Sequence, residues 1–247
     1  MRDIFVRTTN VMRAAAALEE LWQGRGRSET NLCLVDGKTG YGKTETLEWY
    51  VTQHPGRAVY VRALDSWSVP AMLRAICRAL NLPSRATTER NFLQLEDELK
   101  ARPRLVIIDE ADDYIIARGH HLNTVRDLHD RTHTPIVLVG EGSARDLVYR
   151  RSPRTWRRLG QVVVFEPLSA PDVQVMAKEL CDPGLEIGTA LAERLRQMSL
   201  SGSFGEVVVN LAKVENLAKA NPDKEITDKM VEMALKARRG SKAGSGF

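Results

Sequence analysis

The sequence predicts an α/β fold, a parallel five-stranded sheet that carries a phosphate loop, followed by an all-helical C-terminal domain. Three observations predict it. First, Gly37-Lys38-Thr39-Gly40-Tyr41-Gly42-Lys43-Thr44 has G-x-x-x-x-G-K-T spacing, between a strand-like run at 31–36 and a helix-like run from Glu45. Second, Leu105-Val-Ile-Ile ends in Asp109-Glu110, as a buried parallel strand does when it delivers carboxylates at its C-terminal end. Third, strand-like and helix-like segments alternate up to about residue 169, and only helix-like segments follow.

The first helix is expected over 8–22, where Thr9 or Asn10 suits the cap and Ala14 to Leu21 is rich in helix formers. After a loop at 24–29 come the strand at 31–36 and a helix at 43–53, broken by Pro55-Gly56. The next strand is 58–61. Met72, Leu73, Ile76 and Leu80 recur at helical spacing and predict a helix over 69–80. Pro83 and Ser84 interrupt, before a helix at 91–101 and the acid-bearing strand at 104–109. A helix at 125–133 stops before Thr134-Pro135, since the residue ahead of proline disfavours the helical region. A strand at 136–139 closes at Gly140, short helices cover 143–158, and the last strand is 162–165. Helices follow at 171–180, 187–198, 204–219 and 226–237. The expected domains are a sheet-bearing core at 1–168, a helical domain at 169–238, and a disordered basic tail at 239–247.

The chemistry follows from the loop. Its glycines let backbone N–H groups turn inward around a triphosphate, and the helix N-terminus adds partial positive charge. Residues Gly37, Lys38, Thr39, Gly40, Tyr41, Gly42, Lys43, Thr44 and Glu45 are therefore expected to bind ATP. Lys43 reaches the β- and γ-phosphates, and the Thr44 hydroxyl holds Mg2+. Asp109 completes the magnesium site and Glu110 polarises an attacking water. Alone, the same acids suit the first turn of a helix. Behind a phosphate loop the magnesium role is the stronger one, and Asp-Glu favours ATP hydrolysis over a kinase.

A chain of 247 residues with 43% hydrophobic and 28% charged residues is globular and large enough for one or two cores. No apolar run approaches the ~20 residues of a membrane span, and Met1-Arg-Asp-Ile opens no secretory signal. Cys33, Cys77 and Cys181 are isolated and read as reduced thiols, so a cytoplasmic location is expected. The net charge is +4, and Lys236, Arg238, Arg239 and Lys242 account for all of it; the rest of the chain is neutral. Any nucleic-acid contact must then use local patches. One is 145–158, with six arginines against Asp146; another is 74–104, with seven bases against four acids. Both patterns also suit solvated helix faces.

Five strands, a phosphate loop after the first, an Asp-Glu pair after the third and four terminal helices resemble the AAA+ ATPases. The resemblance implies an AAA+ P-loop NTPase core with a C-terminal helical lid domain. Arg126-Asp-Leu-His-Asp130, Pro135-Ile-Val-Leu-Val-Gly140, Arg157-Arg-Leu and Phe165-Glu-Pro-Leu-Ser169 are similar to the phage Mu B and TnsC group. That likeness implies an ATP-dependent, sequence-nonspecific double-stranded DNA-binding protein, working in the bacterial host cytoplasm. It would form homo-oligomeric filaments or rings, select target DNA for transposition and stimulate a transposase. It further implies an arginine finger just before the fifth strand, Arg157 or Arg158, with Arg154 behind. Side chains at adjacent helical positions diverge by ~100°, so only one of the pair would serve. Along the inner surface of a filament, the candidate DNA contacts are Arg90, Lys100, Arg118, His120 and His121.

Three departures from that pattern stand out. The Mu B type carries an extra N-terminal helix-turn-helix domain, whereas here the ATPase pattern begins almost at Met1, so a form closer to a minimal selector is expected. Glu141 follows the fourth strand, where Asn or Thr is usual, and a second carboxylate there is electrostatically awkward. Ser201-Gly-Ser-Phe-Gly205-Glu206 has no arginine where Gly-x-x-Arg is common. Together the last two imply slow hydrolysis. The residues leave two other functions open: a helicase loader of the IstB or DnaC kind, and a signalling or secretion ATPase that does not bind DNA. His129 and His133 have i, i+4 spacing, but with no third ligand evident His129 more plausibly orders the helix–strand junction.

Overall fold

The structure is a computed structural model that describes residues 1–25, 30–182, 184–200, 202–221 and 228–236. Its strands are β1 (Leu32–Asp36), β2 (Ala58–Arg62), β3 (Leu105–Asp109), β4 (Ile136–Val139) and β5 (Leu159–Val164). They pair in parallel in the order β2-β3-β4-β1-β5. This is the five-stranded parallel α/β sheet that the alternation predicted. β1, β3 and β4 are buried along their whole length, which is why they read as unbroken apolar runs. β2 and β5 lie at the edges and are partly exposed.

Helices α1 (Thr9–Gln23), α2 (Lys43–Gln53), α3 (Val69–Ala79), α4 (Thr88–Ala101), α5 (Gly119–Thr132), α6 (Ala144–Arg151) and α7 (Pro153–Trp156) accompany the strands. Leu34, Val106, Ile108 and Leu138 of the sheet pack with Met72, Leu73, Ile76, Leu95, Leu99, Val125 and Leu128 of the helices in one core. Burying each such side chain contributes about 1.5–3 kcal/mol. One compact unit comprises Val11–Thr39 and Lys43–Phe165; the other comprises Met1–Asn10, Gly40–Gly42 and the chain from Glu166 onward.

That other unit contains α8 (Ala170–Leu180), α9 (Thr189–Met198), α10 (Phe204–Ala220) and α11 (Asp228–Lys236). Val173, Met176, Leu195, Val207, Leu211, Val214 and Val231 form its core. A capping box opens α8. The Ser169 hydroxyl oxygen accepts the Asp172 N–H, and the Asp172 carboxylate accepts the Ser169 N–H at 3.0 Å. The same carboxylate also accepts the Thr9 N–H at 2.7 Å and the Thr9 hydroxyl at 2.8 Å. The N–H of Phe204, the first residue of α10, donates to Gly40 O at 2.8 Å. The tail at 239–247 and the charges of Arg238, Arg239 and Lys242 lie outside the described residues.

Several boundaries differ from expectation for identifiable reasons. α4 starts at Thr88, not 91, because Thr87 Oγ1 accepts the Arg90 N–H and caps it. α5 starts at Gly119, six residues before the expected 125, since Gly-His-His conceals a helix start. A π-helical turn, Asp112–Ile116, follows β3 and was not anticipated. β5 begins at Leu159 rather than 162, where polar Gly160-Gln161 masks the strand. Gly160 is needed there: an added Cβ would stand 2.0 Å from Thr30 O.

Candidate active site

β1 delivers the chain into the loop, and α2 starts at Lys43 immediately after it. Gly40 and Gly42 take φ of 83° and 88°, left-handed values that L side chains rarely adopt. The first-turn N–H groups of α2 have no partners within the helix and are available to an anion. The Lys43 ammonium donates to Gly37 O and, at 3.1 Å, to Lys38 O, so it folds back on its own loop. Burial lowers its pKa, and the charges of Glu141, Asp109, Asp112 and Asp36 oppose that fall.

The ends of β2, β3 and β4 complete the site. The carboxylate of Asp109, buried at the end of β3, receives three hydrogen bonds. The Thr44 hydroxyl donates at 2.8 Å, the Tyr60 hydroxyl at 2.7 Å and the Glu110 N–H at 2.7 Å. Burial and then the bond to Asp109 raise the Tyr60 pKa, so it stays a neutral donor. Thr44 and Asp109 are thus brought together, as a magnesium pair requires. No group of three or more His, Cys, Asp or Glu that could hold a metal occurs among the described residues. The oxygens of Thr44 and Asp109 fit a Mg2+ that takes its other ligands from phosphate and water, since Mg2+ keeps several waters and uses few carboxylates.

Glu110 takes φ of 53°, an uncommon left-handed value for this residue, and its carboxylate accepts from the Arg62 guanidinium. That bond holds the Glu110 carboxyl below the usual range, with burial opposing. Glu141 Oε1 accepts the Thr39 N–H at 3.1 Å. Hydrogen bonds from the Thr39 hydroxyl and N–H lower its pKa, and Lys43 adds to the effect. The Glu141 N–H in turn donates to the Asp112 carboxylate at 2.7 and 2.8 Å. Glu141 therefore sits against the phosphate loop as an ionised group. Tyr60, Arg62 and Asp112 were not singled out from the sequence. The first two come from β2, whose register with β3 sets Arg62 opposite Asp109. Strand pairing is a three-dimensional fact that no local pattern carries.

Of the finger candidates, Arg157 is exposed and in no ion pair among the described residues. Arg158 pairs with Asp130 at 2.7 Å, and Arg126 approaches the same carboxylate at 3.9 Å. His129 Nδ1 bonds Thr134 O at 2.8 Å and ties α5 to the turn before β4, as the junction role supposed.

The DNA candidates divide. Arg90, Arg118 and His120 are exposed, whereas Lys100 is paired with Glu96, which also holds Arg131. His121 is a correction: it is only 6% exposed, packed on the core face of α5, and is not on a surface that could meet DNA. The helix period, unknown where the start of α5 was hidden, turned it inward.

Residues 26–148 match the family described as AAA domain. No curated protein matches the chain in sequence. Among solved structures, the Aeropyrum pernix ORC2 protein in its ADPNP-ADP complexes is similar at a TM-score of 0.71 and 18% identity, over 96% of this chain and 70% of that one. The Aeropyrum pernix ORC1 protein in complex with DNA is similar at 0.60 and 16%, over 94% and 65%. Domain III of the Thermotoga maritima replication initiation protein DnaA is similar at 0.56 and 18%, over 94% and 93%. The fold is that of an AAA+ P-loop NTPase, and the chain is an ATPase.

Proposed function

We propose that this ATPase couples its nucleotide state to double-stranded DNA: with ATP it assembles on duplex as a filament or ring, selects that DNA for transposition and stimulates a transposase. In this reading Gly37–Thr44 and Glu45 hold ATP, Lys43 turns from its loop carbonyls to the β- and γ-phosphates, and Thr44 with Asp109 holds Mg2+. Glu110 leaves Arg62 to polarise water. Arg157 or Arg158 serves the neighbouring subunit's nucleotide, and Arg157 is the better placed because Arg158 is engaged by Asp130. Residues 1–168 act as the ATPase core and 169–238 as the helical lid domain. The site of action is the bacterial cytoplasm; no helix among the described residues is long and apolar enough to cross a membrane.

One observation carries the narrower reading. Two of the segments that resemble the Mu B and TnsC group meet in space: Arg126 and Asp130 of α5 and Arg158 before β5 form one ion-pair cluster, and His129 bonds the turn that leads into the third at β4. The ORC1 protein of the same fold was solved with DNA, which is consistent with the duplex partner. The test is strand transfer by a transposase encoded beside this chain, with and without it and ATP. ATP-dependent stimulation and target choice by the bound DNA are expected. A stable complex with a hexameric helicase and no effect on strand transfer would replace this reading with a helicase loader.

A further inference from the structure

On the sheet-bearing unit, α6 and α7 concentrate positive charge, with Asp146 as their one acid. Arg145, Arg150, Arg151, Arg154 and Arg157 are exposed, and none is in an ion pair among the described residues. Other exposed bases of the same unit do have acid partners: Lys100 and Arg131 pair with Glu96, and Arg102 with Glu98. Clustered like charge costs free energy until an anion of matching spacing relieves it. A finger accounts for one arginine and leaves the others without an occupant.

The aromatics in the patch are arranged with the arginines. Tyr149 is 59% exposed and meets Trp156 edge-on, centroids 5.5 Å apart at 81°. The Arg145 guanidinium lies over the Trp156 ring at 5.8 Å. The Trp156 ring is thereby fixed between two polar-tipped neighbours, and the Tyr149 hydroxyl and Arg145 fork are held on one surface.

We infer that the α6–α7 surface binds the phosphate backbone of duplex DNA, and that it, rather than α4, is the main DNA contact; this rests on the DNA-binding reading above. Arginine forks match phosphate geometry, and a tyrosine hydroxyl is a phosphate donor. Duplex DNA offers one charge per ~1.7 Å of its axis, dense enough to engage several of these arginines together. Contacts of this kind read no sequence.

The test is fluorescence anisotropy of a labelled duplex with a non-hydrolysable ATP analogue across a salt series. The variants are Arg150→Gln with Arg151→Gln, the same pair changed to Lys, Tyr149→Phe and Tyr149→Ala. Each phosphate contact contributes about 0.9 to the log–log salt slope, so the Gln pair should flatten it by about 2. The Lys pair should restore the slope, and ATP affinity and DNA-free hydrolysis should stay at wild-type levels. Tyr149→Phe should weaken binding as Tyr149→Ala does, because the hydroxyl is what is lost. A wild-type slope in the Gln pair overturns the surface and leaves the DNA-binding reading standing. No duplex binding by the wild type overturns both. Full binding by Tyr149→Phe, with a single strand bound more tightly than duplex, means base stacking and overturns the duplex assignment. Loss of ATP affinity in the Gln pair means the arginines act through the nucleotide pocket, which also overturns it.

Discussion

Arg62→Ala should make this ATPase faster. The Arg62 guanidinium is bonded to the Glu110 carboxylate, and Glu110 is the group assigned to polarise water. Hydrolysis in this state requires that bond to open. The side chains are 60% and 51% exposed, so water screens the pair and its strength is modest. Removing it should therefore raise basal turnover only about two- to fivefold, the range open to an exposed pair. Arg62 also holds the Glu110 pKa down, so its removal should move the acidic limb of the pH–rate profile to higher pH. The assay is steady-state ATP hydrolysis against pH for wild type, Arg62→Ala, Glu110→Gln and the double variant. The double variant should be as inactive as Glu110→Gln, since both changes act through one carboxylate. A fall in turnover on Arg62→Ala, or a gain that persists in the Glu110→Gln background, would refute the reasoning.

Three further outcomes follow from the same geometry. Lys43→Ala should abolish ATP binding, and Thr44→Ala should retain ATP weakly while losing its Mg2+ dependence; nucleotide titration with and without Mg2+ separates them. Arg157→Ala should reduce hydrolysis while sparing ATP affinity, and mixing it with Glu110→Gln subunits should restore activity to its intact pockets; no rescue would move the finger to Arg158 or Arg154. Asp172→Asn should lower stability by about 1–3 kcal/mol at neutral pH, read by denaturant melts, because the carboxylate accepts four hydrogen bonds from Thr9 and Ser169. Burial opposes the Asp172 charge, but those bonds outweigh it and depress the pKa. That contribution is therefore full above the unfolded value of about 3.9 and lost as pH falls through the folded one, so the wild-type and Asn curves should converge in acid.

What the sequence made legible was contiguous. The phosphate loop is eight successive residues, and β3 is an apolar run that ends in its acids, so Thr44 and Asp109 could be paired before their 2.8 Å contact was known. Tyr60 and Arg62 were invisible for the opposite reason. They reach Asp109 and Glu110 only through the β2–β3 register. Glu141 was noticed as an unusual residue, but its grip on Thr39, and the π-helical turn that sets Asp112 beneath its N–H, are products of the fold. The burial of His121 is set by the phase of α5, which its local sequence does not carry.

The central claim, that ATP gates assembly on duplex DNA, is tested most directly with the Glu110→Gln protein, which should hold ATP without hydrolysing it. Electron microscopy of that protein with linear duplex and ATP should show continuous filaments or closed rings on the DNA, and none with ADP or when Lys43→Ala is introduced. Bare DNA beside ATP-loaded monomers, or equal decoration with and without nucleotide, would contradict it.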